Sequence, residues 1–529
     1  MKSIFLTLCL VSILAASAQT PYWQQELRFT IHAELNETEK SITALQTIVY
    51  RNNSPDTLGF IWFHLWPNAY KTDSTALMTQ IRNDPARSAK QGAAGTGSIE
   101  GLAFKVNDLP AQTEAHPNPQ YIDVVKLLLN TPLKPGDSIS ISTPFKVWFP
   151  PYFSRSGYAG TEFMACQWYP KPAVYDQAGW HEFPYLDMGE FYSEYADFTI
   201  SLTLPSQYVV GATGTLETPE ELKQYKDLGS RNSAERRKRP ALYTPPKKAT
   251  KTLTWRATHV PDFAWFADKD FIIQYDTVHL ANGKVIDAFS YFHDKKKTIW
   301  TNSIDFIKDA VRSYSHWVGE YEYPTVQVVE GPENSSSGGM EYPMITLITS
   351  PDANEEALDG VITHEVGHNW FMSMLGSNER SHTWMDEGLN TYYQFRYEAE
   401  KYRGNSIFGK TIPANIKKLP ADQFLTVIYQ VINENLPMKS AMDIPADQFP
   451  DSNEYGLVSY VKTALWMYIL ESAIGRDKID LAVQNYFDKW KHKHPQPADM
   501  QAAFEEAIGE DLDTFFELTK KEGKFEGQF

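Results

Sequence analysis

His364-Glu365-Val366-Gly367-His368 sets two imidazoles four residues apart. On an α-helix that spacing is about one turn, so both rings share a face and reach one Zn²⁺ at about 2.0 to 2.1 Å. Glu365 lies about 100° round the helix from His364, behind the position of an activated water, and is the candidate general base. Paired histidines also occur on helices as packed or solvated residues, so context decides. A catalytic zinc needs a third, preferably anionic, protein ligand and one vertex open to water. Glu387, in Trp384-Met385-Asp386-Glu387-Gly388, is the candidate. Eighteen residues separate it from His368, enough for a second helix to run back and present a carboxylate from its first turn. Asp386 competes for that role, but its side chain points about 100° away from that of Glu387.

Helical periodicity places the first pair of ligands on a helix over Asp352 to Leu375, with Asp352 and Glu355 as a capping box and Gly376 as the left-handed residue beyond its end. Gly367 in its interior costs about 1 kcal/mol relative to alanine and implies a close approach there. Further helices are predicted over Ile299 to Trp317, Trp384 to Tyr402 and Gly456 to Ser472, and strands over Thr325 to Val329 and Met344 to Thr349. Upstream, short alternating runs at Ile42 to Tyr50, Leu58 to Leu65, Ser138 to Val147, Asp197 to Leu204 and Thr252 to His259, separated by turn clusters, predict an antiparallel β domain. Lys223 to Lys251, polar and containing Arg236-Arg237-Lys238-Arg239, is predicted to be an exposed loop.

With these residues in place, the chain resembles the gluzincin zinc aminopeptidases, the family of membrane alanyl aminopeptidase and leukotriene hydrolase. The likeness rests on the His-Glu-x-x-His pentad, the glutamate after an eighteen-residue spacer, and Gly338-Gly339-Met340-Glu341-Tyr342, which is similar to that family's Gly-x-Met-Glu exopeptidase segment. The resemblance implies that Glu341 binds the substrate's free amino end, with Gly338, Gly339 and Met340 alongside the peptide backbone. Ser459-Tyr460-Val461-Lys462-Thr463-Ala464 is similar to the family's Tyr-x-Lys-x-Ala segment and makes Tyr460 the candidate for steadying the oxyanion, with Tyr455 as the fallback. Ala165-Cys166-Gln167 resembles a Cys-Gln step whose second member helps hold the amine, here Gln167.

The implied fold is an N-terminal antiparallel β-sandwich-like domain followed by a thermolysin-like zinc peptidase domain that passes from α/β to all-helical. The expected divisions are a signal peptide at 1–18, the β domain at 19–274 and the catalytic domain at 275–529. Sixty-five residues follow Ala464, too few for the long helical C-terminal domain of that family. Lys2, the apolar run Ile4 to Ala16 and the small residues Ala16-Ser17-Ala18 predict cleavage before Gln19 and export to a periplasm or the medium. That cleavage removes Cys9 and leaves Cys166 without a partner. A net charge of −17 argues against nucleic acid as partner, and no apolar run is long enough for stable membrane insertion. The expected activity is removal of N-terminal residues from peptides, with one zinc ion as cofactor and peptides with a free N-terminus as partners. The rivals are a zinc endopeptidase of the thermolysin kind, which lacks the Gly-x-Met-Glu element, and a non-catalytic binding protein with a structural metal.

Overall fold

The computed structural model describes residues 22–87, 97–236, 240–294, 299–332, 338–350 and 354–526. The signal-peptide reading and Asp352 fall outside them, as does most of the basic run after Arg236. No described helix is long and apolar enough to cross a membrane.

The N-terminal half is built on strands whose faces alternate, as in Glu26–Asn36, where every second residue from Leu27 to Leu35 is buried. That strand pairs antiparallel with Ser41–Arg51, which in turn pairs with Ser138–Trp148. Its other edge meets Ala196–Pro205 in parallel, the one departure from antiparallel pairing among the described strands of the large sheet. Thr250–Val260 continues that sheet beyond Ala196–Pro205. Two four-stranded sheets, centred on Glu162–Ala165 with Trp265–Asp268 and on Leu58–His64 with Val124–Leu133, and the two-stranded pair Tyr175–Asp176 with Gly179–Trp180 complete the described β half. Cys166 is a buried free thiol whose pKa burial raises, which makes it a packing residue.

A five-stranded sheet opens the second half, in the order Ile272–His279, Val285–Phe292, Thr325–Glu330, Ile345–Ile348, Gly339–Tyr342. Ile272–His279 belongs to this sheet and straddles residue 274. The three inner strands run parallel and Gly339–Tyr342 turns back antiparallel at the edge. Beyond Asn354 the described chain is almost wholly helical.

Two local expectations are corrected. The stretch expected to be a loop from Lys223 contains most of a helix, Pro219–Glu235, that buries Tyr225, Leu228, Gly229 and Asn232. Only two large apolar residues, Tyr225 and Leu228, are fully buried, with Leu222 partly so, and the signal in the sequence is weak; the helix is held because Gly229 lets it lie against Tyr275, with a Cβ there only 2.5 Å from that residue's Cβ. The motif helix runs from Glu355 to Gly367, not to Leu375, and Asn354 rather than Asp352 caps it by accepting from the Ala357 N–H. It ends early because Asn369 turns its side chain back, donating to the Val366 carbonyl and accepting from the Met344 N–H. Gly376 instead packs beneath the Tyr195 ring.

His293 braces the two halves, 3.5 Å from Asp268 of the β domain and 3.4 Å from Glu330 of the second sheet. Burial alone would lower its pKa, but the bonds to those carboxylates raise it from 6.5 to about 10. A folded value above the unfolded one stabilises fully below pH 6.5, and the contribution is lost as pH rises toward 10. The difference in Tm between the protein and its His293→Asn variant should therefore be constant in acid and shrink steadily across that window; a difference that grows with pH would contradict the brace.

Candidate metal and substrate site

The motif helix and the helix Glu387–Tyr402 lie together because the motif helix gives up bulk where they cross. A Cβ on Gly367 would stand 2.1 Å from Asn390 Oδ1 and 2.5 Å from the Tyr314 ring, which is the close approach its mid-helix position implied. Asn390 then ties the pair, donating to the His364 carbonyl at 2.7 Å and accepting from Tyr314 at 2.6 Å. Gly388 admits the next helix in the same way, since its Cβ would overlap Thr463 at 2.2 Å.

These crossings bring three donor atoms together. His364 Nε2 and His368 Nε2 are 3.1 Å apart, and Glu387 Oε2 lies 3.3 and 3.2 Å from them. Each ring is oriented from its far side. His364 Nδ1 donates to Gln394 Oε1 at 2.8 Å, and the Gln394 amide is fixed in turn because its Nε2 donates to Glu398. His368 Nδ1 donates to Asp386 Oδ1 at 2.7 Å. With Nδ1 carrying the proton, both Nε2 lone pairs face Glu387 Oε2, a buried oxygen with no hydrogen-bond partner. Three acceptors converging in this way repel one another unless a cation sits between them. A tetrahedral site with bonds of about 2.0 Å has edges of about 3.3 Å, which is the spacing seen here. The donor set therefore fits zinc. Asp386, the competing ligand, lies on the far side of His368 as its orienting carboxylate. Asp386→Ala should weaken zinc binding about 10- to 100-fold, measured by competition with a chelator, while leaving the fold intact.

Glu365 is buried beside this triad with Oε2 unpaired, and Gly339 packs so closely that a Cβ there would be 2.3 Å from its carboxylate. Burial raises its pKa to about 7, the range in which a carboxylate both accepts and returns a proton. Tyr460 comes from an irregular segment. Asp451 caps the short helix Ser452–Gly456, Asp84 of the β domain accepts from the Ser452 N–H at 2.9 Å, and a π-helical turn over Leu457–Lys462 follows. The Tyr460 hydroxyl donates to Glu387 Oε1 at 2.5 Å, directly beside the triad. Tyr455, the fallback, also lines the cleft, but its hydroxyl is buried without a partner.

A cleft of about 410 Å³ runs over these groups. Gly338, Gly339, Met340 and Glu341 form one wall, at a strand whose outer side pairs with no other strand among the described residues. Burial raises the Glu341 pKa well above the ordinary range, and its carboxylate lies within 4.8 Å of His368 and Glu365 donor atoms. Gln167 sits lower, in a small adjoining cavity it shares with Glu341, its amide nitrogen 3.4 Å from Asp262 and its oxygen accepting from Tyr342 at 3.4 Å. Sequence reasoning missed Arg155 and Glu190, which form a buried ion pair in the cleft wall, as well as Gln394 and Glu379. None belongs to a recognisable motif; Gln394, seven residues after Glu387, had helical spacing as its only signal.

Comparison with known proteins agrees with this geometry. Residues 304–518 match the peptidase family M1 domain. The chain is similar to a leukotriene A-4 hydrolase homolog of Botryotinia fuckeliana, 28% identical over 190 residues, which is 34% of this chain and 27% of the relative. It is likewise similar to leucine aminopeptidase 2 of Sclerotinia sclerotiorum, 29% identical over 33% of this chain and 27% of that protein. The matches thus span about a quarter of those relatives' length. In fold it is similar to the M1 zinc metallopeptidase of Deinococcus radiodurans, with a TM-score of 0.63 at 13% identity over 96% of this chain and 95% of that one. A mutant of the latter has been crystallised with a Tyr-Ser-Ala substrate.

Proposed function

On the premise that residues 304–518 place this chain in the peptidase family M1, we propose that it is a zinc-dependent aminopeptidase acting on peptides with a free N-terminus. The observation that carries the reading is the spacing of 3.1 to 3.3 Å among His364, His368 and Glu387, with the buried Glu341 carboxylate lining the same cleft.

A zinc ion bound to that triad supplies a polarised carbonyl and a water whose pKa falls toward about 7. Glu365 takes the proton from the attacking water and returns it to the leaving amine. Glu341 pairs with the α-ammonium, so that only a peptide beginning at that point places its first carbonyl over the base. The outer edge of Gly339–Tyr342 holds the peptide backbone as an added strand. Tyr460 donates to the carbonyl oxygen as negative charge builds on it, and Gln167 supports the amine from below.

A panel of aminoacyl fluorogenic substrates, assayed with chelator and with zinc restored, tests the reading. Free aminoacyl amides should be cleaved and their N-acetylated forms refused, and Glu341→Ala should narrow that difference. Cleavage of the acetylated forms by the unaltered protein would instead indicate an endopeptidase, and zinc-replete protein without turnover would indicate a structural metal. We also propose that the chain is exported with removal of residues 1–18; N-terminal sequencing of the mature protein should begin at Gln19.

A further inference from the structure

Glu379 is a buried carboxylate that the reaction described above does not use. It opens the short helix Glu379–His382, whose first turn Asn378 caps by accepting from the Arg380 N–H at 3.1 Å. Arg380 anchors that turn to the β domain, donating to the Met188 carbonyl at 2.9 Å, two residues before Glu190. Thr383 fixes it from the other side through the Glu379 carbonyl at 2.6 Å. Glu379 is therefore held between the loop that carries Glu190 and the segment that leads into the zinc ligand Glu387. Only 1% of it is exposed, and its Oε2 has no hydrogen-bond partner.

Glu379 lines a cavity of about 20 Å³ together with Glu341, Glu190 and Gln167, and the cavity adjoins the cleft through Glu341, Glu190 and Met340. A space of this size holds one water or one ammonium group, since about 10 to 15 Å³ is enough for a single small occupant. Carboxylate oxygens of Glu341 and Glu379 lie within 4.8 Å of each other. An ammonium at the usual charge-assisted distance of about 2.8 Å from each oxygen spans up to about 5.6 Å, so one nitrogen reaches both. Of the other carboxylates lining it, Glu190 is already paired with Arg155 and Asp262 with Lys171, which leaves Glu341 and Glu379 for a cation there.

We propose that Glu379 is a second carboxylate for the substrate's α-ammonium, so that Glu341 and Glu379 grip the amino end together and Glu190, Arg155 and Gln167 close the cavity around it. This rests on the aminopeptidase reading and adds to it a residue that sets how strictly the enzyme demands a positively charged N-terminus. Asp386 also lies against Glu379, and the alternative is that Glu379 is a protonated carboxyl that merely props Asp386. Gln mimics the protonated form in shape and in donating a hydrogen bond, so Glu379→Gln separates the two.

The test compares zinc-replete wild-type and Glu379→Gln proteins in the affinity for a free L-amino acid relative to its desamino analogue, by calorimetry, together with KM and kcat for a free aminoacyl anilide. The expected result is a loss of about tenfold in the amino-to-desamino preference and a similar rise in KM, with kcat within about threefold of wild type. A preference equal to wild type overturns the proposal, whatever the zinc content of the variant. Absence of turnover in the wild-type protein itself would be the failure of the aminopeptidase reading, and the calorimetric ratio would still decide the role of Glu379.

Discussion

Glu365→Gln protein should bind zinc as tightly as the wild type and lose about 10²- to 10⁴-fold in kcat, with little change in KM. The reasons are local. Gln has the shape of Glu, so the packing of Gly339 against it survives. The three donor atoms of the metal triad come from other residues, and the Nδ1 bonds that orient both imidazoles go to Gln394 and Asp386. What disappears is the one buried carboxylate beside the triad whose pKa, lifted to about 7 by desolvation, suits it to shuttle a proton. Metal analysis of the purified variant alongside steady-state kinetics gives both quantities. A variant that loses zinc and activity in proportion would make Glu365 a structural support of the site and remove its assignment as base.

Glu387→Ala is the complementary change and should strike the metal first. It removes the only anionic member of the triad and leaves two Nε2 lone pairs 3.1 Å apart with no negative charge to offset the ion. It also deprives the Tyr460 hydroxyl of its acceptor at 2.5 Å, so the group meant to meet the oxyanion loses its alignment at the same time. Zinc affinity should fall by more than the roughly 10- to 100-fold expected for Asp386→Ala, because Asp386 acts only through His368. Chelator competition ranks the two variants directly, and activity should return only partly when zinc is added in large excess. If Asp386→Ala proved the more damaging, Asp386 would be the ligand and the two adjacent carboxylates would exchange roles. Taken with Glu365→Gln, the pair distinguishes loss of the ion from loss of the base.

Much of the site was legible in the sequence because its parts are local. The spacing of His364 and His368 needs only helical geometry, and Glu387 needs only a second helix returning after eighteen residues. Asp386 was identified as the alternative to Glu387, and the same 100° offset that argued against its ligating the metal is what turns it toward the back of His368. The strands were legible for a similar reason, since alternation along Ser41–Arg51 or Ser138–Trp148 records which face meets the core. Helix ends were less so. The motif helix stops at Gly367 because an Asn369 side chain competes for its last carbonyls and reaches across to Met344, a contact invisible to periodicity. The helix Pro219–Glu235 is not legible from Lys223 onward because most of its surface is polar and its stability comes from lying on Ile272–His279.

By itself, then, the sequence determined the candidates: which side chains are spaced to hold an ion, which carboxylate is proposed to take the proton, and a β half followed by an α/β and helical half. Tertiary structure alone decided what surrounds them. Arg155, Glu190 and Glu379 come from separate segments with no motif of their own, and Asp84 reaches Ser452 across 368 residues to steady the segment that presents Tyr460. The physical reason is range. Ligand spacing and alternation are set by rise and rotation per residue, whereas the walls of the cleft depend on which distant segments pack together when the core closes.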